Sequence, residues 1–368
     1  MAEIISKENS NWELTRQFDV NKITREEWIL KVFPEWGTWL NEEIERTAVK
    51  PDTFAMWWLG NMGIWMKTPG GGNLTIDMWV SRGKYSHDVP TQGPDYQMNR
   101  QTGGRSIQPN LRGIPCVIDP FAIKDLDVFM ATHFHFDHMD AYATAAVLQN
   151  CPDCIFVGPQ FCADFWTRWG VPAERIKIVR PGDTLKIKDM EITALEAADR
   201  TALITAPPAG DMTGKLLDMD ERAVNYLVKT PGGSFYHAGD SHMTNLFRKH
   251  GVKYKIDVAC GAFGENPKGV RDKLSPYDIL SMAENLECKV VIPLHYDLWV
   301  NMRGDPTNID ILYEFNKYRM QYKFKPFIWE VGGRFVYPDD KDKRRYMYDR
   351  GFDDAYTYDA NLPFPSFL

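Results

Sequence analysis

The segment 131–138, ATHFHFDH, decides how the rest of this sequence is interpreted. The chain of 368 residues holds only eight histidines, yet three of them and one aspartate fall within six consecutive positions. These residues are His133, His135, Asp137 and His138. They follow the apolar run VFMAT, which predicts a buried β-strand, and precede a predicted helix. The segment therefore predicts a functional loop at the carboxyl edge of a sheet, where α/β proteins place their sites.

The spacing of these side chains predicts a metal centre. In an extended chain His133 and His135 point the same way, while Asp137 and His138 reach a second point close by. Imidazole and carboxylate groups suit zinc, iron or manganese, and a site open on one side leaves room for a bound water. The alternative, a set of surface or capping histidines, does not explain this spacing directly after a buried strand.

The composition, with 44% hydrophobic and 25% charged residues, is typical of an ordinary soluble protein. A net charge of −7 argues against nucleic acid as a partner, because binding a phosphate backbone needs clustered Lys and Arg. The N-terminal sequence lacks signal-peptide features and no long apolar run occurs, so we expect a cytoplasmic protein with no membrane contact. The six cysteines suit buried, reduced thiols, and the CxxC of Cys151 and Cys154 is interpreted as a turn.

The chain divides into two parts on its pattern of apolar residues. Residues 1–50 predict a helical N-terminal extension packed on the main domain, and residues 51–368 predict a single domain of strands alternating with helices. Within it, residues 80–115 are polar and rich in Gly and Pro, which predicts an excursion near an active-site mouth or a subunit contact. The aromatic ending NLPFPSFL suits packing on the same domain or on a neighbouring subunit, and we expect a homo-oligomer.

Several residues mark helix boundaries. Thr24 with Glu27 predicts a capping box at the start of an N-terminal helix. Ser275 before a proline predicts another helix start, while Gly170 and Gly251 predict helix ends.

An internal echo relates the two halves of the chain. Residues 64–77 read IWMKTPGGGNLTID and residues 226–240 read YLVKTPGGSFYHAGD, so strand, TPGG turn, strand and aspartate occur twice. Pro followed by Gly suits the centre of a tight turn between antiparallel strands. Duplication predicts two similar layers facing each other in one sandwich, and the alternative is a chance recurrence of a common turn.

The motif HFHFDH has the HxHxDH pattern of the metallo-β-lactamase superfamily, which the sequence resembles in three further places. TIDMWV is similar to the family's early strand ending in aspartate, YHAGDSH to its glycine-aspartate motif, and VVIPLHYD to the strand delivering a last histidine. The resemblance implies an α/β fold, an αββα sandwich of two mixed β-sheets flanked by helices. It also implies that Asp240 is a bridging carboxylate and His295 the final metal ligand.

The chain departs from the family at one ligand position. Family members supply another histidine before the glycine-aspartate motif, but no histidine occurs here between His138 and His237. Asp199 stands near the expected place. Either Asp199 takes that role, which favours a harder divalent cation and Mn²⁺ ahead of Zn²⁺, or one of two metal sites is incomplete. The alternative for Asp199 is a surface residue paired with Arg200.

The glycine-aspartate motif is flanked by His237 and His242. Such residues orient ligands or pass protons to a leaving group, and we expect this more of His242 than of His237, with packing as the alternative. The predicted catalytic residues are accordingly Asp137, Asp240 and His242. His250 is interpreted as an ordinary surface residue.

Over nearly its full length the chain also resembles a narrower family of bacterial lactonases, in stretches such as DERAVNYLVKTPGGS and RGFDDAYTYDANLPFPSFL. The resemblance implies a cytoplasmic enzyme of carbohydrate metabolism, active in L-ascorbate degradation. Its metal-dependent reaction would open the lactone ring of L-ascorbate 6-phosphate to give 3-keto-L-gulonate 6-phosphate. Metal-bound hydroxide would attack the ring, so no Ser or Cys nucleophile is needed, and the chain has no GxSxG motif.

A phosphorylated substrate needs cationic side chains. The predicted substrate-binding residues are Arg200, Lys268 and Arg271, and further candidates are Lys273, Arg105 and Arg112. Two other functions stay open. One is phosphodiester cleavage by a nuclease-like member of the same superfamily, which the acidic net charge disfavours. The other is a non-catalytic metal-binding sensor, which the missing histidine makes conceivable.

Overall fold

The computed structural model describes residues 18–34, 39–84, 110–205, 218–264, 273–297 and 304–347. Its strands are β1 Phe54–Gly60, β2 Gly63–Lys67, β3 Asn73–Ile76, β4 Gly83–Lys84, β5 Asn110–Leu111, β6 Val128–Met130, β7 Ile155–Gly158, β8 Ile176–Ile178, β9 Thr184–Ile187, β10 Met190–Glu196, β11 Val224–Thr230, β12 Gly233–His237, β13 Val258–Ala262, β14 Val290–Leu294, β15 Lys325–Pro326 and β16 Arg334–Tyr337. Its α-helices are α1 Arg25–Val32, α2 Asn41–Arg46, α3 Ala141–Asn150, α4 Gln160–Trp169, α5 Arg200–Thr205, α6 Leu246–Lys253, α7 Pro276–Leu286 and α8 Thr307–Met320.

Two seven-stranded sheets form the centre of the fold. The first sheet has the order β16-β1-β2-β3-β6-β7-β8, and the second has the order β9-β10-β11-β12-β13-β14-β15. In both sheets the first three strand pairs are antiparallel and the last three are parallel. The two sheets therefore have the same strand order and the same strand directions.

Alternate side chains along a strand point to opposite faces of the sheet and so belong to different layers of the fold. In β1 the side chains of Phe54, Met56 and Trp58 belong to the core cluster between the sheets, whereas the intervening Ala55 and Trp57 face the other way. Every residue of β1 is buried because both faces of the sheet are covered.

Helices cover the outer faces of both sheets. The helices α3 and α4 pack on the first sheet around Phe129 and Phe156. The helices α6, α7 and α8 pack on the second sheet around Tyr236 and Ala259. The expected αββα sandwich of two mixed sheets is confirmed.

The repeated TPGG turns occupy equivalent places. One joins β2 to β3 and the other joins β11 to β12, and both pairs are antiparallel. In the first sheet the hairpin strands β2 and β3 come directly after β1. In the second sheet the hairpin strands β11 and β12 come directly after β10, so both hairpins have the same place in the strand order. The repetition of the whole strand pattern favours duplication over a chance recurrence of the turn.

Gly251 is not a helix end, and that prediction is wrong. The helix α6 continues through it to Lys253, and a Cβ atom at Gly251 would lie 2.1 Å from the Asn285 carbonyl oxygen. The glycine permits close approach of α7, so its role is packing. Gly170 does end α4 with φ 96°, and Ser275 starts α7 through a capping box with Asp278.

The N-terminal helices lie against the first sheet's outer layer. Thr24 caps α1 by accepting a hydrogen bond from the Glu27 N–H, at 3.2 Å, while the Glu27 carboxylate pairs with Lys31. The indole N–H of Trp28 donates to the Val80 carbonyl at 3.0 Å. The division of the chain into an extension and a single domain stays a prediction.

The predicted excursion is described only at its ends, where β4 pairs with β5, and residues 85–109 lie outside the described part of the chain. Cys151 and Cys154 are buried free thiols in a turn, and burial raises the pKa of Cys151 to about 11. A helix long and apolar enough to cross a membrane does not occur among the described residues.

Candidate metal centre

The predicted ligands lie at one edge of the sandwich. Each follows the carboxyl end of a strand: the HFHFDH loop follows β6, and three single residues follow β10, β12 and β14. These are Asp199, Asp240 and His295. Strands that run parallel end at the same edge, so residues up to 162 positions apart in sequence (133 to 295) meet in space.

One group of possible ligands consists of His133, His135 and Asp199. The His133 Nε2 and His135 Nδ1 atoms are 2.8 Å apart, and His133 Nε2 is 3.7 Å from Asp199 Oδ2. Asp199 therefore lies beside both histidines, and it is buried rather than paired on the surface.

A second group consists of Asp137, His138 and His295. Asp137 Oδ2 lies 3.5 Å from the Nε2 atoms of both histidines. Asp240 Oδ1 is 3.4 Å from His138 Nε2 and 3.5 Å from His295 Nε2, and Asp240 also forms a group with His133 and His138. Asp240 thus lies between the two groups, as a bridging carboxylate would.

The residues present fit a divalent cation. Four buried atoms of the cluster have no hydrogen-bond partner among the described residues: His138 Nε2, His295 Nε2, Asp199 Oδ2 and Asp240 Oδ1. Leaving buried polar atoms unpaired is costly, and all four face the same space. Imidazole nitrogens with carboxylate oxygens form a donor set suited to zinc or manganese.

Buried partners behind the cluster orient its histidines. Asp77 accepts hydrogen bonds from the Thr132 N–H and hydroxyl, each at 2.7 Å, and its second oxygen lies 2.8 Å from His138 Nδ1. Since that hydroxyl donates to Asp77, it accepts from the His133 Nδ1–H at 3.0 Å. Both imidazoles are thereby held as the tautomer whose Nε2 lone pair faces the cluster.

The two aspartates Asp199 and Asp240 each keep one oxygen for the cluster. Asp199 Oδ1 accepts from the Thr201 N–H and hydroxyl and from the Ala202 N–H, and so caps α5. Asp240 Oδ2 pairs with the buried ammonium of Lys273. Each carboxylate is therefore turned so that its other oxygen faces the histidines.

The charged side chains of the cluster shift one another's pKa values strongly. Burial alone would lower the pKa of His138, but the carboxylates of Asp240, Asp137 and Asp77 raise it well above its usual value. Burial alone would raise the pKa of Asp240, yet Lys273 and the neighbouring histidines hold it well below its usual range. The carboxylates thus favour the protonated form of His138, and Lys273 favours the charged form of Asp240.

Three residues around the site adopt left-handed backbone conformations that non-glycine residues rarely take: Asn61 at φ 53°, Asp77 at φ 53° and His295 at φ 73°. The Asn61 carbonyl accepts from the His295 N–H at 3.2 Å, and its side-chain amide donates to the Asp137 carbonyl at 2.5 Å. The turn between β1 and β2 thus ties two ligand loops together.

The remaining predicted residues fall into different places. The His242 Nδ1 atom lies 3.2 Å from the Ala198 carbonyl, beside Asp199, but His242 is not part of a ligand group. His237 Nε2 pairs with the Met62 carbonyl at 2.9 Å and its Nδ1 accepts from the Gly239 N–H, which is a positioning contact.

The Lys and Arg residues predicted to bind the substrate phosphate also lie in different places. Arg200 is exposed at the start of α5, next to Asp199. Arg112 gives its guanidinium donors to main-chain carbonyls of residues 59, 79, 114 and 115 and stacks on Trp79, so it is structural. Lys273 is held by Asp240. The other candidates, Arg105, Lys268 and Arg271, lie outside the described residues.

Sequence reasoning missed Asn61, the roles of Asp77 and Lys273, and the burial of His250. Asp77 is the aspartate of the TIDMWV segment, and its importance could have been inferred because the TPGG repeat aligns it with Asp240. Lys273 carries no such signal, and nothing in its local sequence indicates a contact with a residue 33 positions away. His250 was expected on the surface, but it is 1% exposed and hydrogen-bonded on both ring nitrogens.

Comparison with known proteins agrees with this geometry. Residues 102–296 match the model of a "Beta-lactamase superfamily domain". The chain belongs to the metallo-β-lactamase superfamily. It is 56% identical over 351 residues to the "Probable L-ascorbate-6-phosphate lactonase UlaG" of Salmonella paratyphi B, which covers 95% of this chain and 99% of that protein. The protein of the same name from Salmonella enteritidis PT4 matches with the same identity and coverage.

Solved structures share the fold at low sequence identity. An isothiocyanate hydrolase from Delia radicum gut bacteria has a TM-score of 0.54 at 16% identity, covering 76% of this chain and 98% of that one. Igni18, a metallo hydrolase from Ignicoccus hospitalis, has a TM-score of 0.52 at 17% identity, covering 77% of this chain and 98% of that one. These structures support the architecture alone.

Proposed function

We propose that this protein is a metal-dependent lactonase that hydrolyses L-ascorbate 6-phosphate to 3-keto-L-gulonate 6-phosphate. One observation carries the proposal: the chain matches the lactonase relatives over 95% of its length. In agreement with it, seven proposed ligands lie at one edge of the sandwich. These are His133, His135, Asp137, His138, Asp199, Asp240 and His295.

We assign the ligands to two ion positions. His133, His135 and Asp199 would hold one ion, and Asp137, His138 and His295 would hold the other, with Asp240 Oδ1 between them. Three carboxylates among seven ligands favour a harder cation, so Mn²⁺ is proposed ahead of Zn²⁺.

A divalent cation bound at this site would lower the pKa of water and polarise the lactone carbonyl. The overall reaction adds water across the acyl C–O bond: a new C–O bond forms, the ring C–O bond breaks, and the leaving oxygen gains a proton. Asp137 is the most exposed of the three ligand carboxylates, at 19% of its side chain against 2% for Asp240. We assign to Asp137 the removal of the proton from water.

Proton delivery and phosphate binding are assigned to residues outside the set of proposed ligands. His242, 9% exposed beside the Asp199 loop, is proposed to pass a proton to the leaving oxygen. Arg200 is exposed next to the same loop and is proposed to bind the substrate phosphate, together with Lys268 and Arg271. The assignments of His242 and Arg200 follow from position and charge, and those of Lys268 and Arg271 follow from charge alone.

The experiment uses purified full-length protein, stripped with a chelator and reloaded with Mn²⁺ or Zn²⁺. We expect hydrolysis of L-ascorbate 6-phosphate that is lost on stripping and restored by metal, with Mn²⁺ more effective. Elemental analysis would follow ion content in the His135→Ala variant, in which content and rate should fall together. Activity on a model phosphodiester only would favour the nuclease alternative, and failure on both substrates at full metal loading would favour a sensor.

We also propose that the protein acts in the cytoplasm, in L-ascorbate degradation, as a homo-oligomer. Support for the oligomer comes from α8, which buries Ile309 against the second sheet but exposes Ile311, Phe315 and Tyr318 at 61%, 84% and 83%. These three residues form one apolar stripe at helical spacing. The acidic residues of α8, Asp310 and Glu314, already pair with Arg344 of the same chain, so the support for the interface is the apolar stripe itself.

A further inference from the structure

A buried chain of hydrogen bonds runs from the metal cluster to the protein surface. The Ser241 hydroxyl lies 2.9 Å from Asn225 Oδ1, and Asn225 Nδ2 lies 2.9 Å from the Tyr236 hydroxyl. That hydroxyl lies 2.9 Å from His250 Nδ1, and His250 Nε2 lies 3.0 Å from Glu196 Oε2. These five residues are called the Glu196 network.

The hydrogen bonds of the Glu196 network all run in one direction, with each residue donating to the next from Ser241 to Glu196. Asn225 Nδ2 also donates to the Glu196 main-chain carbonyl at 3.0 Å, which fixes the amide orientation because a carbonyl only accepts. Asn225 Oδ1 therefore accepts from Ser241, and the Tyr236 oxygen accepts from Asn225. The single Tyr236 proton then goes to His250 Nδ1, so His250 Nε2 carries a proton and donates to the Glu196 carboxylate.

The Glu196 network places polar side chains in the protein interior, where apolar side chains usually pack. Tyr236 and Asn225 are 0% exposed and His250 is 1% exposed, and they lie between β11, β12 and α6 beside the apolar layer. Polar groups in such a place contribute little net stability over apolar groups of the same shape, but they impose one arrangement when every member is paired. In the Glu196 network, every buried side-chain polar atom of the five residues has a partner.

The inner end of the network joins two ligand loops. Ser241 directly follows Asp240, and its hydroxyl oxygen accepts from the Ala198 N–H at 3.0 Å. Ala198 directly precedes Asp199, and its carbonyl accepts from the His242 N–H at 3.1 Å. The position of Asp199 relative to Asp240 is therefore set by two contacts, one through the Ser241 hydroxyl and one through the His242 main chain.

We propose that Tyr236 and His250 are positioning residues for the metal centre, acting through Asn225 and Ser241 to hold Asp199 at its ligand position. Among the described residues, the histidine loop forms no hydrogen bond with the five side chains of the network. The ion held by His133, His135 and Asp199 therefore depends on the network through Asp199, whereas the ion held by Asp137, His138 and His295 meets it only through the neighbouring Asp240 and depends on it far less. This inference uses the ligand groups of the proposed function, but not the lactonase reaction.

The test is a titration of metal-free protein with Mn²⁺, followed by calorimetry, on wild type and Tyr236→Phe. Removal of the hydroxyl breaks the network at its centre with almost no change in shape. We expect one of the two ion affinities to fall about tenfold, while the other stays within about twofold of wild type. Tyr313→Phe is the matched control, because its buried hydroxyl donates to the Phe324 carbonyl far from the site, and both affinities should be unchanged.

A second variant covers the case in which Tyr236→Phe unfolds. Glu196→Gln alters the network at its outer end, where the side chain is 31% exposed, and should weaken the same ion while thermal unfolding stays close to wild type. Unchanged affinities, or equal loss of both ions, would overturn the proposal. A wild-type protein that binds both ions but opens no lactone would instead count against the proposed function alone.

Discussion

Asp77 lies behind His138, with its side chain fully buried and both of its oxygens occupied. Asp77 is not one of the proposed substrate-binding residues. It nevertheless selects the tautomer of His138 and holds Thr132, which in turn orients His133. A carboxylate accepts from all of these donors, whereas an amide would offer only one accepting oxygen. One residue outside the ligand set thus controls the direction of two ligands.

We predict that Asp77→Asn lowers the affinity for the metal ion about 10- to 100-fold, because the His138 imidazole loses the partner that holds its Nε2 lone pair toward the cluster. Ion binding would be measured by competition with a coloured chelator. Asp119→Asn is the control, since Asp119 is also buried and hydrogen-bonded but lies in the outer layer, capping a short 3₁₀ helix. Equal affinities for wild type and Asp77→Asn would contradict this role.

Ion binding should also depend on pH. In the metal-free protein the pKa of His138 is raised well above its usual value by surrounding carboxylates, despite its burial. A proton therefore stabilises the metal-free form below that pKa and competes with the cation, so affinity should increase as the pH rises through the neutral range. Calorimetry in buffers of different ionisation enthalpy should detect proton release at pH 7. Affinity that is constant with pH would refute this competition.

At the level of the elements, the site is assembled by short turns at strand ends. The turn after β12 places Asp240, and it passes through Gly239 at φ 50°, where a Cβ atom would lie 2.9 Å from the Thr132 hydroxyl oxygen. That hydroxyl is the one that holds Asp77. Thr132, which follows β6, thus lies between the residues that follow the two hairpins, with Asp77 on one side and Gly239 on the other.

We predict that Gly239→Ala weakens both thermal stability and ion binding, because it adds left-handed backbone strain of about 1–2 kcal/mol and displaces Thr132. Gly71→Ala is a matched control: Gly71 also has a positive φ, 82°, but a Cβ atom there would meet no atom within 4 Å. The control should lose stability to a similar degree and keep wild-type ion affinity. Equal ion affinities in the two variants would show that the Thr132 contact is unimportant.

Strands and helices were predicted correctly where the sequence holds a long apolar run or a clear cap. They were missed where the strand or helix is stabilised by residues distant in sequence. The strand β6, the strands of the two TPGG hairpins and the helices α3, α4 and α7 were predicted from apolar runs, the repeat or helix caps. The edge strands β15 and β16 and the six-residue helix α5 were not, because neighbours supply their stability. The start of α5 depends on Asp199, whose carboxylate caps it.

At the scale of the whole molecule, the exposed stripe on α8 predicts assembly. We expect Phe315→Glu to convert an oligomer into a smaller species in light scattering coupled to size-exclusion chromatography, because it places a charge in the centre of the stripe. Val252→Glu is the control, since Val252 is 69% exposed on α6 without such a stripe. A wild-type chain that is monomeric at micromolar concentration would count against this interface.

The sequence by itself determined the fold class and the identities of the proposed ligands. Periodic apolar runs and a compact HxHxDH segment are local signals, since strands bury alternate residues and the first four ligands lie within six positions. The repeat also indicated the two-layer architecture, because each half of a duplicated chain repeats the same strand pattern.

Only the tertiary structure decided how these ligands are held. Lys273 on Asp240, Asp77 behind His138, and the Glu196 network all join residues that are far apart in sequence and follow no period. Such contacts depend on which loops meet at one sheet edge and on the burial that leaves each polar atom a single available partner. That is why the chemistry of the centre could be predicted from the sequence, whereas the orientation of each ligand could not.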